Sequence, residues 1–163
     1  MKTSGLLSLI VVFVVCSTAI TPSQTMPAWV NKIDTALRAG EWRIIERRYY
    51  KFEGTNKFHS VQIQLVHNEE INATVNIDLK ASAKEAQATL LQEATFSSGR
   101  KVGKIKNSFP DIGDENMIEN PGPMGWIHIK FRKGRVYTHV MSPSEETAKK
   151  LAKLVSELIP TKV

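Results

Sequence analysis

Two stretches in the middle of the chain alternate between apolar and polar positions. Val61, Ile63 and Leu65 interleave with Gln62 and Gln64, and Ile71, Ala73, Val75, Ile77 and Leu79 interleave with Asn72, Thr74, Asn76, Asp78 and Lys80. Side chains on a strand point in turn to opposite faces, so each stretch predicts a strand with one buried face and one wet face. The short polar run Asn68-Glu69-Glu70 between them suits an antiparallel reversal. From Trp42 to Glu53 the β-favouring Ile44, Ile45, Tyr49, Tyr50 and Phe52 argue for a further strand, although the alternation is blurred and a helix is the alternative. Gly54-Thr55-Asn56 then breaks the chain. Trp126 to Arg132 and Arg135 to Met141 are two more β-type runs, separated only by Lys133-Gly134. That spacing predicts a hairpin with a two-residue turn, Gly134 supplying positive φ.

Helical spacing appears in three places. Trp29, Ile33, Ala36 and Leu37 share one face of a helix predicted over Ala28 to Ala39, with Gly40 as its stop. Ser82 with Glu85 forms a capping box, opening a helix whose stripe is Ala83, Ala86, Leu90, Leu91 and Ala94. Ser142-Pro143-Ser144-Glu145 predicts a second box, with Pro at the first helical position. Ala148, Leu151, Ala152, Val155, Leu158 and Ile159 follow on one face, Lys149, Lys150 and Lys153 form the solvated side, and Pro160 ends the helix. Phe109 to Gly125, rich in Gly and Pro, reads as a long loop that is either functional or laid over the core. Strands in groups, with helices between them and no βαβ alternation, predict an α+β fold. The expected form is a single antiparallel sheet packed by helices on one face, making one domain over residues 28–160.

The first residues follow another logic. Met1 and Lys2 precede the apolar run Leu6 to Cys16 and then small residues, the three-part layout of a secretory signal. The expected processing is cleavage after Ala19, with residues 20–27 as a linker, which predicts export to a periplasmic or extracellular space. A membrane anchor, through an uncleaved signal or a lipid on Cys16, is the alternative, although Val15 stands where a lipoprotein signal wants a small residue. Cys16 is the one cysteine, so a cleaved chain would hold neither a disulfide nor a thiol nucleophile.

At 163 residues with 42% hydrophobic and 23% charged content, the chain is long enough for one core, and this balance excludes a disordered or fibrous protein. Its 22 Lys+Arg against 16 Asp+Glu give a net charge of +6, which favours anionic surroundings without a strong nucleic-acid signature.

The order of a strand meander, a helix, a loop containing Ile112-Gly113-Asp114-Glu115, a hairpin turning at Arg132-Lys133-Gly134 and a closing helix resembles small exported bacterial α+β domains. Some of these are similar to the PsbP-like family, whose members bind partners rather than catalyse. The resemblance spans about the last 100 residues by pattern, departs at Arg135 where many such domains have Asn, and implies a fold and export without carrying over any binding residue.

Candidate chemistry is sparse. The expected turn sets His128 opposite His139, Lys130 opposite Tyr137, Arg132 opposite Arg135 and Trp126 opposite Met141 on one face, with Phe131, Ile129 and Ile127 on the core side. Opposed imidazoles can share a zinc ion, and Asp114 or Glu115 from the acidic stretch Asp111, Asp114, Glu115, Glu119 would complete a His-His-carboxylate hydrolytic site. The plainer reading makes the two histidines solvent neighbours and Gly113-Asp114 a turn. His59 and His67 fall in phase with apolar positions and read as core or sheet-end residues. Basic residues lie near aromatics in Arg47, Arg48 and Tyr49, and again in Lys130, Arg132, Arg135 and Tyr137. Gathered on one face, these would bind a protein, a polyanion or an anionic surface; left apart, they are solubility charges. No Gly-x-Ser-x-Gly elbow or phosphate loop occurs. The expectation is therefore a non-catalytic binding or accessory domain of unknown partner with no cofactor, the alternatives being a zinc hydrolase and a polyanion or membrane-surface binder.

Overall fold

The structure is a computed structural model that describes residues 26–40, 42–53, 57–67, 71–119 and 125–162. The expected signal at 1–19, most of the 20–27 linker, and the breaks at 54–56 and 68–70 lie outside the described residues.

Strict alternation yields the expected strands. The chain runs through α1 (Ala28–Ala39), β1 (Trp42–Lys51), β2 (Phe58–His67), β3 (Ile71–Leu79), α2 (Ala83–Ser98), β4 (Glu115–Glu119), β5 (Ile127–Lys133), β6 (Val136–Ser142) and α3 (Glu145–Leu158). All strand pairs are antiparallel in one sheet of order β1-β2-β3-β6-β5-β4. Ile63, Leu65, Val75, Ile77, Ile129 and Phe131 point to one side and are buried with Ile33 and Leu37 of α1 and Leu151 and Val155 of α3. The fold is α+β, one antiparallel sheet with helices packed on it.

The helices are divided between the faces. α1 and α3 cover the side just described, whereas Leu90 and Ala94 of α2 pack with Tyr137, Ile105 and Met117 on the other. That second face offers apolar surface only around β4 and β6, so the narrow stripe of α2 settles there. Among the described residues, no helix covers the same face of β1, β2 and β3.

Local chemistry explains the boundaries. Ser82 Oγ accepts from Glu85 N at 3.1 Å, while the Glu85 carboxylate accepts from Ala81 N at 3.0 Å, one residue earlier than in the standard box. The last helix begins two residues later than its sequence implies. Ser142 is buried and pairs with Ile127 in the ladder, so the strand runs through it and Ser144 becomes the cap. Blurred alternation in β1 comes from a register shift between Ile44 and Glu46, which leaves Ile45 on the exposed side.

Within the expected long loop, Glu115–Glu119 forms the edge strand β4. It is anchored by Asn116, whose buried amide takes N–H groups of Ser108 and Phe109 and donates to the carbonyls of Phe109 and Ile112. Just before it, Gly113 has φ +61°, and a Cβ there would stand 2.5 Å from the Arg132 carbonyl oxygen.

The hairpin corner is also displaced. Lys133 pairs with Val136, so Gly134-Arg135 forms the loop in place of Lys133-Gly134. Asp114 Oδ2 accepts from Gly134 N at 2.8 Å, the Arg135 carbonyl accepts from Lys80 N at 2.9 Å, and Lys133 Nζ reaches the Ser156 carbonyl at 2.8 Å. These contacts hold the corner one residue further along. Every expected partner therefore moves by two: Arg132 faces Tyr137, Lys130 faces His139 and His128 faces Met141. An even shift keeps each side chain on its own face, so Phe131 stays in the core. Gly134 has φ +56°, and Gly134→Ala is expected to cost about 1 kcal/mol in urea unfolding. An unchanged midpoint would contradict that strain.

Candidate functional site

Register carries three rows of side chains across the α2 side of all six strands. One runs Glu46, Gln64, Thr74, Met141, His128, Glu119; the next Arg48, Gln62, Asn76, His139, Lys130, Met117; the third Tyr50, Ser60, Asp78, Tyr137, Arg132, Glu115. α2 lies over the β4 to β6 ends of these rows and forms a wall beside their β1 to β3 ends.

Lys130 occupies the middle of the covered half. Its ammonium is 2.7 Å from Glu93 Oε2 on α2 and 2.7 Å from Glu119 Oε1 on β4, with only 5% of the side chain exposed. Ser97 of α2 donates its hydroxyl to Glu119 as well. Two carboxylates about one ammonium compensate its burial and tie helix, edge strand and sheet together. Beside them His139 Nε2 lies 3.1 Å from His128 Nδ1. Burial pushes the His139 imidazole down to about 3, with Lys130 and His128 acting in the same direction against Glu93. Burial also lowers His128, where Glu119 opposes it and Lys130 adds to it. Both rings are therefore neutral at pH 7, and one must donate to the other. Tyr137 is raised well above its ordinary value, first by burial and then by the carboxylates of Glu93, Asp78 and Glu119.

Two openings adjoin this cluster. A cleft of about 850 Å³ enters between the end of α2 and β4, past Phe96, Met117, Ile118 and the two imidazoles, and Phe96 at its mouth is 87% exposed. A recess of about 280 Å³ lies on the open half between Tyr50, Ser60, Gln62, Asn76 and His139. Glu93 and His139 border both, so the two openings adjoin across these side chains along a groove beside α2.

The residues singled out in the sequence divide among several places. His128 and His139 meet, but Asp114 and Glu115 lie at the other end of β5, on Arg132 at 3.0 and 2.6 Å. Burial alone would raise Glu115, yet hydrogen bonds from Arg132 and Gln87 hold it below the ordinary carboxylate range. Glu119 is the acidic residue of that stretch that reaches the histidines' neighbourhood. Among the described residues, no group of three or more His, Cys, Asp or Glu has an arrangement able to hold a metal ion. Arg47 and Tyr49 hydrogen-bond each other on the α1 side, where Arg47 also binds Asp34 at 2.6 Å. Arg48 lies on the open face, 2.7 Å from Glu46. Arg135 stands in the hairpin corner, and Tyr137 is buried beneath α2. The basic set is thus split between both faces, and Arg47, Arg48, Lys130 and Arg132 each meet a carboxylate. His59 sits at the sheet end with its ring 4.5 Å from that of Phe52.

Sequence reasoning passed over Glu93, Phe96, Gln62, Gln64 and Asn76. A signal existed for Glu93, which follows Leu90 by three residues and so lies on the buried side of its helix. Comparison with family models, with curated proteins and with solved structures finds no match to this chain. No helix among the described residues is long and apolar enough to cross a membrane.

Proposed function

We propose that the protein is an exported, non-catalytic binding domain that receives its ligand along the groove beside α2. One observation carries this reading. Ser60, Gln62, Gln64, Thr74 and Asn76 form a contiguous half-buried patch, and among the described residues none of these side chains hydrogen-bonds another protein group. Amides and hydroxyls held in register on a rigid sheet, with donors and acceptors unspent, are the few well-placed polar groups that give a binding site its orientation and specificity. The groups capable of catalysis are engaged with one another: Lys130 is ion-paired with Glu93 and Glu119, and the His139 ring contacts that of His128. That cluster serves better as the rigid floor and wall of the groove than as a source of protons or nucleophiles.

Amide-correlation NMR spectra recorded with acetamide, phenol, isopropanol and acetate as small probes test this. The expected result is shared shifts at Ser60, Gln62, Gln64, Thr74, Asn76 and His139. A map centred on the α1 and α3 side, or no common site, would overturn the reading.

A further inference from the structure

We propose that the open half of this face recognises a neutral saccharide chain; the inference rests on the binding reading above and names its ligand class. The first argument is charge. Arg48 is compensated by Glu46 at 2.7 Å and Asp78 by Lys80 at 3.2 Å, so the charged residues that directly flank the patch are paired. Between these pairs stand only neutral amides and hydroxyls. The face of a polyanion binder would leave its cations unspent, and a surface evolved for apolar contact would carry aliphatic side chains here, where β2 and β3 carry Ser60, Gln62, Gln64, Thr74 and Asn76.

The second argument is hydrogen-bond chemistry. Neighbouring strands lie about 4.8 Å apart and alternate residues about 6.7 Å apart along each strand, so the patch is a regular grid of polar groups at the scale of a sugar ring. Each ring hydroxyl both donates and accepts, and each Gln or Asn amide does the same, so a hydroxylated ligand can satisfy both ends of every amide at once. The ladder holds these amides in place before the ligand arrives, which limits the ordering cost of binding.

The third argument is the aromatic edge. Tyr50 is 47% exposed and closes the recess at its β1 end, opposite Ser60. A tyrosine at this border supplies apolar ring surface for the C–H side of a pyranose while the amides take its hydroxyls, a division of apolar and polar contact suited to a sugar's two-sided surface. Glu93 and His139 of the α2 side form the opposite border of the recess.

The test titrates the intact protein with maltohexaose, cellohexaose and triacetylchitotriose, with a heparin oligosaccharide as the charged counterpart. At least one neutral saccharide is expected to bind saturably, shifting the Gln62, Gln64 and Asn76 side-chain amide signals, with little response to added salt. Tyr50→Ala is expected to weaken that binding about tenfold, the scale of one lost stacking contact, and to leave the melting temperature unchanged because the ring is half exposed. Gln62→Ala with Asn76→Ala is expected to weaken it further. If acetamide and phenol still map to this face while no neutral saccharide binds, or if only heparin binds and does so in a salt-sensitive way, the saccharide inference is overturned and the binding reading stands. If the small probes also miss the face, both fall.

Discussion

Asn116→Ala is expected to cost about 4 kcal/mol of folding free energy, because one amide there satisfies four backbone groups. Its Oδ1 accepts from Ser108 N and Phe109 N at 2.9 Å each, and its Nδ2 donates to the carbonyls of Phe109 and Ile112 at 2.6 and 2.7 Å. The side chain is fully buried. Truncation leaves two N–H groups and two carbonyls without partners, each with a penalty of about 1–3 kcal/mol that entering water would partly relieve. Asn116→Asp should restore little, since it keeps the two acceptor contacts, forfeits both donors and adds a buried charge. Urea unfolding followed by circular dichroism measures the difference. A loss under about 1 kcal/mol would mean that the segment before β4 is not held by this residue.

Acid is expected to destabilise the protein through His139. Its folded imidazole is held down to about 3 against an ordinary 6.5, chiefly by burial, so between those values the unfolded chain binds a proton that the folded chain refuses. Stability from this group is full above about pH 7, drains as pH falls through 6.5, and levels off below 3. At about 1.4 kcal/mol per pH unit, the loss between pH 7 and pH 5 is about 2 kcal/mol. Urea midpoints at the two pH values should therefore separate clearly in the wild type. In His139→Gln the separation should shrink by about that amount, whatever the variant's own stability at pH 7. Equal separation in both proteins would show that the buried ring is not the source.

Much of the architecture was readable because it follows from local periodicity. The bounds of α1 and β3 coincide with the apolar spacing, and Ser82 caps α2 from its expected position. Other features depend on partners that spacing cannot reveal. β4 has only Met117 and Ile118 as apolar content and becomes a strand by pairing with β5, while Asn116 arrests the segment before it. The hairpin corner obeys contacts from Asp114, Lys80 and Ser156, all distant in sequence. Lys130 is the clearest case at the candidate site. Alternation assigned it correctly to the face opposite Phe131, but a polar face is wet only until another element covers it, and α2 brings Glu93 over this one. The neutral patch on β2 and β3 was visible as Gln62, Gln64, Thr74 and Asn76, yet polar positions on a strand draw attention only once an uncovered surface and an adjoining wall are known.

The strand order also bears on how the chain must be assembled as it is synthesised. β1, β2 and β3 are neighbours in sequence and can zip together as soon as they emerge. The rim of β3, by contrast, waits for Val136–Ser142, which emerges only after α2, β4 and β5 and inserts between β3 and β5. Until then a nascent chain presents bare backbone beside Val75 and Ile77, an open template for another molecule. Truncation anywhere before Val136 should accordingly yield aggregation-prone material, because the missing piece is the middle of the sheet and not its margin.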